Sequence, residues 1–335
     1  MTTVMHDLEY RRAASHDRDA IVHLGTRTLG WLGDAEDEAF FGWKHEQNPF
    51  GPSPMWIACD GDRVVGFRTF LRWEFVLENH PRVIRAVRAV DTATDPEYQG
   101  RGIFTKLTLA ALDELRAEGV DMVFNTPNDK SLPGYLKMGW RVVGHLPVSI
   151  MPTRVRSIPA IAQARVPASR TAVLIHSGDA PRDAFADRAA LARLLATIPD
   201  APGLRTRKVP EFFSWRYGHE PLHYRVVRAG PAIDDGFAVF HLRRRGPALE
   251  AVLCDLVVPN PHRSEARRLG HHLTRRVARV SGADYILRID GRPVTVDPFL
   301  RIPRTGPILT FRALQNWLPP RLGRWDVTMG DIELF

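Results

Sequence analysis

The chain has 335 residues, 25% charged and 44% hydrophobic, with a net charge of +8, the proportions of an ordinary water-soluble protein with room for two domains of about 150 residues. No apolar run approaches the roughly 18 residues of a membrane helix, the opening MTTVMHDLEYRR lacks the apolar core of an export signal, and the only two cysteines, Cys59 and Cys254, are too few and too far apart for a disulfide framework. Membrane and disulfide-rich secreted classes are thereby excluded, and a cytoplasmic location is expected.

In chain order, Leu8 to Arg12 reads as a first strand and Asp17 as the N-cap of a helix reaching Leu29. Phe40 to Gly51 is an aromatic segment closed by Asn-Pro. Met55 to Cys59 and Val64 to Leu71 flank Asp60-Gly-Asp-Arg63 as a hairpin, and Arg82 to Thr94 is a third strand that pairs with them. Asp95-Pro96 opens a turn, Gln99-Gly-Arg-Gly102 forms a corner, and an amphipathic helix runs from about Ile103 to Glu118. A short apolar run, Met122 to Phe124, precedes a second helix ending at Gly139, and Arg141 to Ile150 is a closing strand.

Glycines let a backbone approach a ligand closely, and the first turn of a helix offers unpaired N–H groups and a positive dipole end, so this strand-to-helix corner suits a phosphate or pyrophosphate. Arg101 and Lys106 add charge there. A dinucleotide fingerprint would need a third glycine where Thr105 stands, and a P-loop would need Gly-Lys-Ser/Thr; neither is present.

Gln99-x-x-Gly102-x-Phe104 instead resembles the Q/R-x-x-G-x-G/A signature of the GCN5-related N-acetyltransferase (GNAT) superfamily, and Asn125…Asn128…Ser131…Tyr135-x-x-x-Gly139-Trp140 is similar to that superfamily's second segment. The resemblance covers about Leu8 to Met151. It implies a mixed α/β (α+β) fold, in which a mostly antiparallel central sheet is flanked by helices, with acetyl-CoA or another acyl-CoA as co-substrate and no metal. It also implies cofactor contacts from Thr92, Ala93 and Thr94, where the strand splays from its neighbour or simply ends, from Gln99, Gly100, Arg101, Gly102, Ile103 and Phe104, and from Asn128 and Ser131, of which Ser131 could equally cap the last helix. Phe104 departs from the small residue the signature expects, so the cofactor's path is altered there or the ring points into the core. Tyr135 stands where the superfamily keeps a tyrosine facing the cofactor sulfur, with packing against Trp140 and Met138 as its other reading. Asp91, the one carboxylate inside its strand, is a candidate general base or a structural hydrogen-bonder. Trp43 and Glu46, with His45, are candidates for the acceptor side.

Met151 to Arg170, with three prolines and little periodicity, reads as a linker. Beyond it the pattern restarts: Phe212-Phe-Ser-Trp-Arg-Tyr echoes Phe40-Phe-Gly-Trp-Lys-His, preceded by a strand (Ala172 to Ile175) and a helix (Asp187 to Ile198) and followed by a hairpin (Tyr224 to Arg228, Gly236 to Leu242). Val252 to Pro261 corresponds to the strand before the corner, Ser264 to Arg279 to the long helix, and Ala283 to Ile289 to the later strand. The second copy has His262-Arg-Ser-Glu265 in place of the glycines and no Tyr-x-x-x-Gly-aromatic segment. The expected organisation is a catalytic domain over 1–151, a linker over 152–170 and a non-catalytic GNAT-like pseudo-domain over 171–335.

Charge follows the same division, with −4 over residues 1–150 and +12 over 151–335. Of the 46 basic residues 41 are Arg, spread along the chain rather than interleaved with aromatics, so the excess reads as compositional bias and not as a nucleic-acid stripe. His45-Glu46 and His271-His272 lack further ligands at metal spacing. The expected partner is a small-molecule amine, with no membrane and no nucleic acid; the oligomeric state and the acceptor's identity are not legible. The competing readings are an aminoacyl-tRNA-dependent transferase of the peptidoglycan cross-bridge type, which would not need the glycine corner, and a non-catalytic acyl-CoA-binding protein.

Overall fold

The computed structural model describes residues 7–30, 35–78, 82–169, 171–198, 203–260, 264–289, 298–316 and 319–333. The chain divides into two compact units, the first containing residues 1–75, 82–144 and 308–319 and the second residues 76–81, 145–307 and 320–335. Among the described residues no helix is long and apolar enough to cross a membrane.

In the first unit, β1 (Glu9–Arg12), β2 (Met55–Asp60), β3 (Arg63–Val76) and β4 (Ile84–Thr94) pair antiparallel in sequence order. β4 then pairs parallel with β5 (Met122–Asn125) across the connection that holds α3 (Ile103–Ala117). The result is a mixed, mostly antiparallel sheet. Alternation along its strands divides the side chains between two layers of helices. Trp56, Ala58, Val65, Val87, Ala89 and Val123 bury against Ile103, Leu107, Ala111 and Leu115 of α3 and Tyr135 of α4 (Leu132–Lys137). Ile57, Cys59, Phe67 and Ala93 bury on the other face against Ile21, Val22 and Leu24 of α1 (Arg18–Leu29) and Phe41 of α2 (Ala35–Phe41).

The second unit repeats this order. Strands Arg225–Arg228, Phe237–Arg245 and Ala248–Val257 are antiparallel, and Ala248–Val257 then pairs parallel with Tyr285–Ile289 after the helix Ser264–Ser281. Two mostly antiparallel sheets flanked by helices are therefore present, as expected.

The closing strands differ from the sequence reading. Arg141 to Ile150 is not one strand: β6 (Arg141–His145) lies in the first sheet, while β7 (Val148–Pro152) pairs with Tyr285–Ile289 in the second. The place beside β5 goes to Ile308–Ala313, antiparallel, with Thr310 opposite Asn125. The run breaks at Leu146-Pro147, between the two strands, where Pro147 has no N–H for a ladder. The expected linker carries a short helix, Ile158–Gln163, with Pro159 in its first turn, where a missing N–H costs nothing. His262 and Arg263, set opposite the glycine corner by the internal repeat, lie outside the described residues, as does Arg170 at the linker's end.

Candidate functional site

The parallel pairing of β4 with β5 runs only from Ala86↔Met122 to Arg88↔Phe124. Beyond it β4 continues to Thr94 paired with β3, and among the described residues no strand pairs with its other edge. The register also slips there, since Val90 and Asp91 stand opposite the single residue Thr69, between the pairs Arg68↔Thr92 and Phe70↔Ala89. This bulge re-aims the strand, and side chains take its carbonyls: Arg68 Nη1 donates to Val90 O at 3.0 Å and Thr69 Oγ1 to Asp91 O at 2.9 Å. Thr92 Oγ1 donates to Phe67 O at 3.0 Å. Thr92, Ala93 and Thr94 thus end β4 with one edge pinned and the other, among the described residues, without a strand partner.

The corner follows. Asp95, 1% exposed, accepts from Glu97 N at 3.1 Å and from Arg63 at 2.7 Å. Burial disfavours its charge, but these donors outweigh that and hold its carboxyl below the usual range. Gly100 at φ +77° and Gly102 at φ +74° occupy the left-handed region that admits glycine most readily, and a Cβ on either would meet no protein atom within 4 Å. Gly102 is the N-cap of α3 and offers no side chain to its first N–H groups. Gln99 reaches back to Thr94 O at 3.4 Å. Arg101 and Lys106 are exposed, with Arg101 over the Tyr98 ring at 4.7 Å. Ile103 is buried beneath the helix start.

On the α3–α4 face, the Phe104 ring turns inward and meets Tyr135 edge-on at 5.5 Å. The core reading of that phenylalanine is the one the structure adopts. Tyr135, 3% exposed, also packs on Trp140 at 5.2 Å, and its hydroxyl accepts from Arg68 Nη2 at 2.6 Å. One guanidinium therefore bridges the bulged edge of β4 to the tyrosine. Arg68 escaped the sequence reading, although a charge in the middle of the apolar run Val64 to Leu71 was a signal that it had a specific partner.

Asp91 points to the opposite face of the sheet. There α2 passes into a π-turn over Gly42–Glu46 that buries Lys44 and His45, each 1% exposed. Lys44 Nζ lies 2.8 Å from Asp91 Oδ2, and His45 Nε2 lies 2.9 Å from the same oxygen while its Nδ1 faces Ser53 Oγ at 3.0 Å. Burial alone would raise the Asp91 pKa, but the Lys44 charge and the His45 hydrogen bond overrule it, so the carboxylate stays ionised. Burial also lowers the His45 pKa despite Asp91, which leaves the ring neutral, donating from Nε2 and accepting at Nδ1. Lys44 and Ser53 were not among the sequence candidates; Lys44 and His45 converge on the one carboxylate, and Ser53 backs the histidine at Nδ1.

The remaining candidates are more dispersed. Asn128 Oδ1 accepts from Ser131 Oγ and N at 3.0 Å and from Lys130 N at 3.1 Å, a closed turn that starts α4 and leaves Asn128 exposed. Trp43 is 5% exposed and packs on Phe40, whereas Glu46 is exposed and pairs with Arg18 at 2.7 Å. In the second unit His241, Cys254 and Glu333 bring ligand atoms within 4.8 Å of one another. That carboxylate already accepts from His241 and Arg243, and Arg216 donates to the Glu333 backbone, so guanidinium charge occupies the surroundings a cation would need.

The family model described as "Acetyltransferase (GNAT) domain" matches residues 9–143. No curated protein matches the chain. Among solved structures, a GCN5-related N-acetyltransferase from Anabaena variabilis aligns over 92% of this chain and 73% of its own, with TM-score 0.59 and 12% identity. A conserved protein from Enterococcus faecalis described as a probable N-acyltransferase aligns over the same shares, with TM-score 0.57 and 12% identity. Eis1 from Mycobacterium abscessus aligns over 92% of this chain and 74% of its own, with TM-score 0.56 and 15% identity. At such identities the likeness is one of fold.

Proposed function

Starting from the GNAT acetyltransferase domain that residues 9–143 carry, we propose that this chain is an acyl-CoA-dependent N-acyltransferase, with acetyl-CoA as donor and a small-molecule primary amine as acceptor. The observation that supports this best is the joint placement of a one-sided strand end, Thr92 to Thr94, and a left-handed glycine corner at Gly100 and Gly102. The free edge of β4 offers N–H and C=O groups to the amides of a pantetheine arm, as an added strand would. The α3 N-terminus, with Gln99, Arg101, Ile103 and Phe104 around it, offers N–H groups and charge to a pyrophosphate. Asn128 and Ser131, at the mouth of the loop before α4, flank the arm.

The chemistry assigned to the site is direct attack. The acceptor nitrogen adds to the thioester carbonyl, the carbon–sulfur bond breaks with its electron pair going to sulfur, and the thiolate takes a proton from the Tyr135 hydroxyl. Because the Tyr135 oxygen accepts from Arg68, its own hydrogen is directed elsewhere and is available for that role. Asp91 is a poor general base while Lys44 neutralises it. We assign it to holding the bulged strand from the opposite face, with the proton of the attacking amine passing to water. Trp43 supports that face from within the core, and Glu46 lies at its rim as the remaining candidate for acceptor contact. Nothing in the glycine corner suits the aminoacyl-tRNA reading.

The test is release of free thiol from acetyl-CoA in the presence of a panel of primary amines comprising an amino sugar, an aminoglycoside, free lysine and a peptide N-terminus. At least one should accelerate thiol release well above the rate without acceptor. Binding of acetyl-CoA with no amine accepted would leave a non-catalytic acyl-CoA binder, and absence of binding would overturn the assignment.

A further inference from the structure

Arg68 is 0% exposed, yet among the described residues no carboxylate stands within ion-pair distance of it. Its surroundings are aromatic: the guanidinium carbon lies 4.9 Å from the Phe70 ring centre, 5.4 Å from Phe104 and 5.5 Å from Tyr135. Among the described residues its hydrogen bonds go to Val90 O and to the Tyr135 hydroxyl, and Nε is buried without a partner. Three ring faces offset part of the desolvation of this cation, but burying a charge without a counter-ion remains unfavourable. A methionine or leucine would fill the same space among three rings without that penalty. Packing therefore accounts for the size of this side chain and not for its charge.

The charge does have a use at the hydroxyl. Hydrogen bonds from Nη2 to the phenol and from Nη1 to the bulged strand set the Tyr135 oxygen at a fixed offset from the open edge of β4, within one guanidinium's reach of both. A preorganised donor aimed at a group that becomes negative stabilises the charged state more than the neutral one. We propose that Arg68 is the positioning residue of the acid. It holds the Tyr135 oxygen as an acceptor, leaves the phenol's proton free for the gap beside β4, and balances the phenolate formed when that proton passes to the departing sulfur. The phenolate then regains a proton from solvent, which has received one from the attacking amine, so the cycle closes without any further reactant. This rests on the reading in which Tyr135 protonates the thiolate.

The experiment is a double-mutant cycle of Arg68→Gln and Tyr135→Phe, with acetyl-CoA and the fastest amine of the panel. Tyr135→Phe should lower kcat roughly 100-fold with the KM for acetyl-CoA within a few fold, in the usual span for a lost general acid. Arg68→Gln should lower kcat roughly tenfold with a similarly small change in KM, and the double variant should be no slower than Tyr135→Phe alone, since Arg68 acts through the hydroxyl. An equal loss from Arg68→Gln in both backgrounds marks a general packing role and overturns the proposal, as does an unchanged kcat in Arg68→Gln. An intact kcat in Tyr135→Phe overturns the acid reading itself, whatever Arg68 does. If the glutamine variant does not fold, Arg68→Lys, which keeps the buried charge but not the two-armed bridge, completes the same cycle; additivity there is equally fatal.

Discussion

His45 shows how far a residue's role depends on where it is buried. In solution an imidazole titrates near pH 6.5; at 1% exposure, between Asp91 and Ser53, it stays neutral, because burial outweighs the attraction of the carboxylate. A depressed histidine pKa means that, below about pH 6.5, the unfolded chain binds a proton the native chain does not, so stability falls as pH falls, by at most about 1.4 kcal/mol per pH unit. Asp91, also depressed, contributes stability above its unfolded value near 4 and loses it only as pH drops further. Between pH 7 and 5 the histidine therefore dominates this cluster. Urea unfolding should show wild type losing part of its advantage over His45→Gln as pH falls across that interval; parallel pH profiles for the two proteins would show that the ring is not neutral in the native state. The cluster itself was only partly legible. Lys44, His45 and Asp91 were visible as residue types, but their convergence spans 46 and 47 positions and depends on a π-turn that no periodicity announces.

Elements set the corner. A β-branched strand, glycines of left-handed conformation and an amphipathic helix were all readable, and Gly102 at φ +74° has the backbone that such a turn demands. Because a Cβ there would meet no protein atom within 4 Å, Gly102→Val should fold with a penalty of about 1 to 2 kcal/mol from the left-handed backbone alone. A larger effect is expected on acyl-CoA binding, weakened more than tenfold, or about 1.4 kcal/mol, since the new side chain stands where phosphate oxygens approach the helix N–H groups. Calorimetry of the folded variant decides this, and unchanged affinity would remove the corner from the binding site. The bulge in β4 was not readable: Arg82 to Thr94 is apolar enough to pass for one continuous strand, and the slip at Val90–Asp91 emerges only from pairing with β3.

At the scale of the whole molecule, the second unit repeats the strand order and the parallel crossover but not the corner. Its helix Ser264–Ser281 begins with Glu265 in the first turn, where the dipole already has its negative charge and a phosphate is less welcome. The aromatic segment repeats a buried anchor as well: Tyr217 donates to Asp255 on the strand before that helix, as Lys44 and His45 hold Asp91 on β4. An anchor present in a unit without the glycines favours a structural reading of both. Titration of the intact chain with acetyl-CoA should give one equivalent bound, and two equivalents would mean that the second unit retains a cofactor site.

Strand alternation, the helix face of α3, the turn residues and the glycine corner were determined by the sequence alone, because each rests on interactions between residues within a few positions of one another. Which strands close each sheet, and which side chains meet in the core, were decided only by the tertiary structure. Ile308–Ala313 reaches β5 from nearly two hundred positions away, and its apolar alternation would satisfy any half-buried sheet edge, so nothing local selects its neighbour. Arg68 and Tyr135, 67 positions apart, are likewise an ordinary basic residue and an ordinary tyrosine until packing removes water from both and joins them by a hydrogen bond. Local preference fixes conformation cheaply, whereas pairing between distant segments is chosen by the free energy of burying them together, which exists only once the chain has folded.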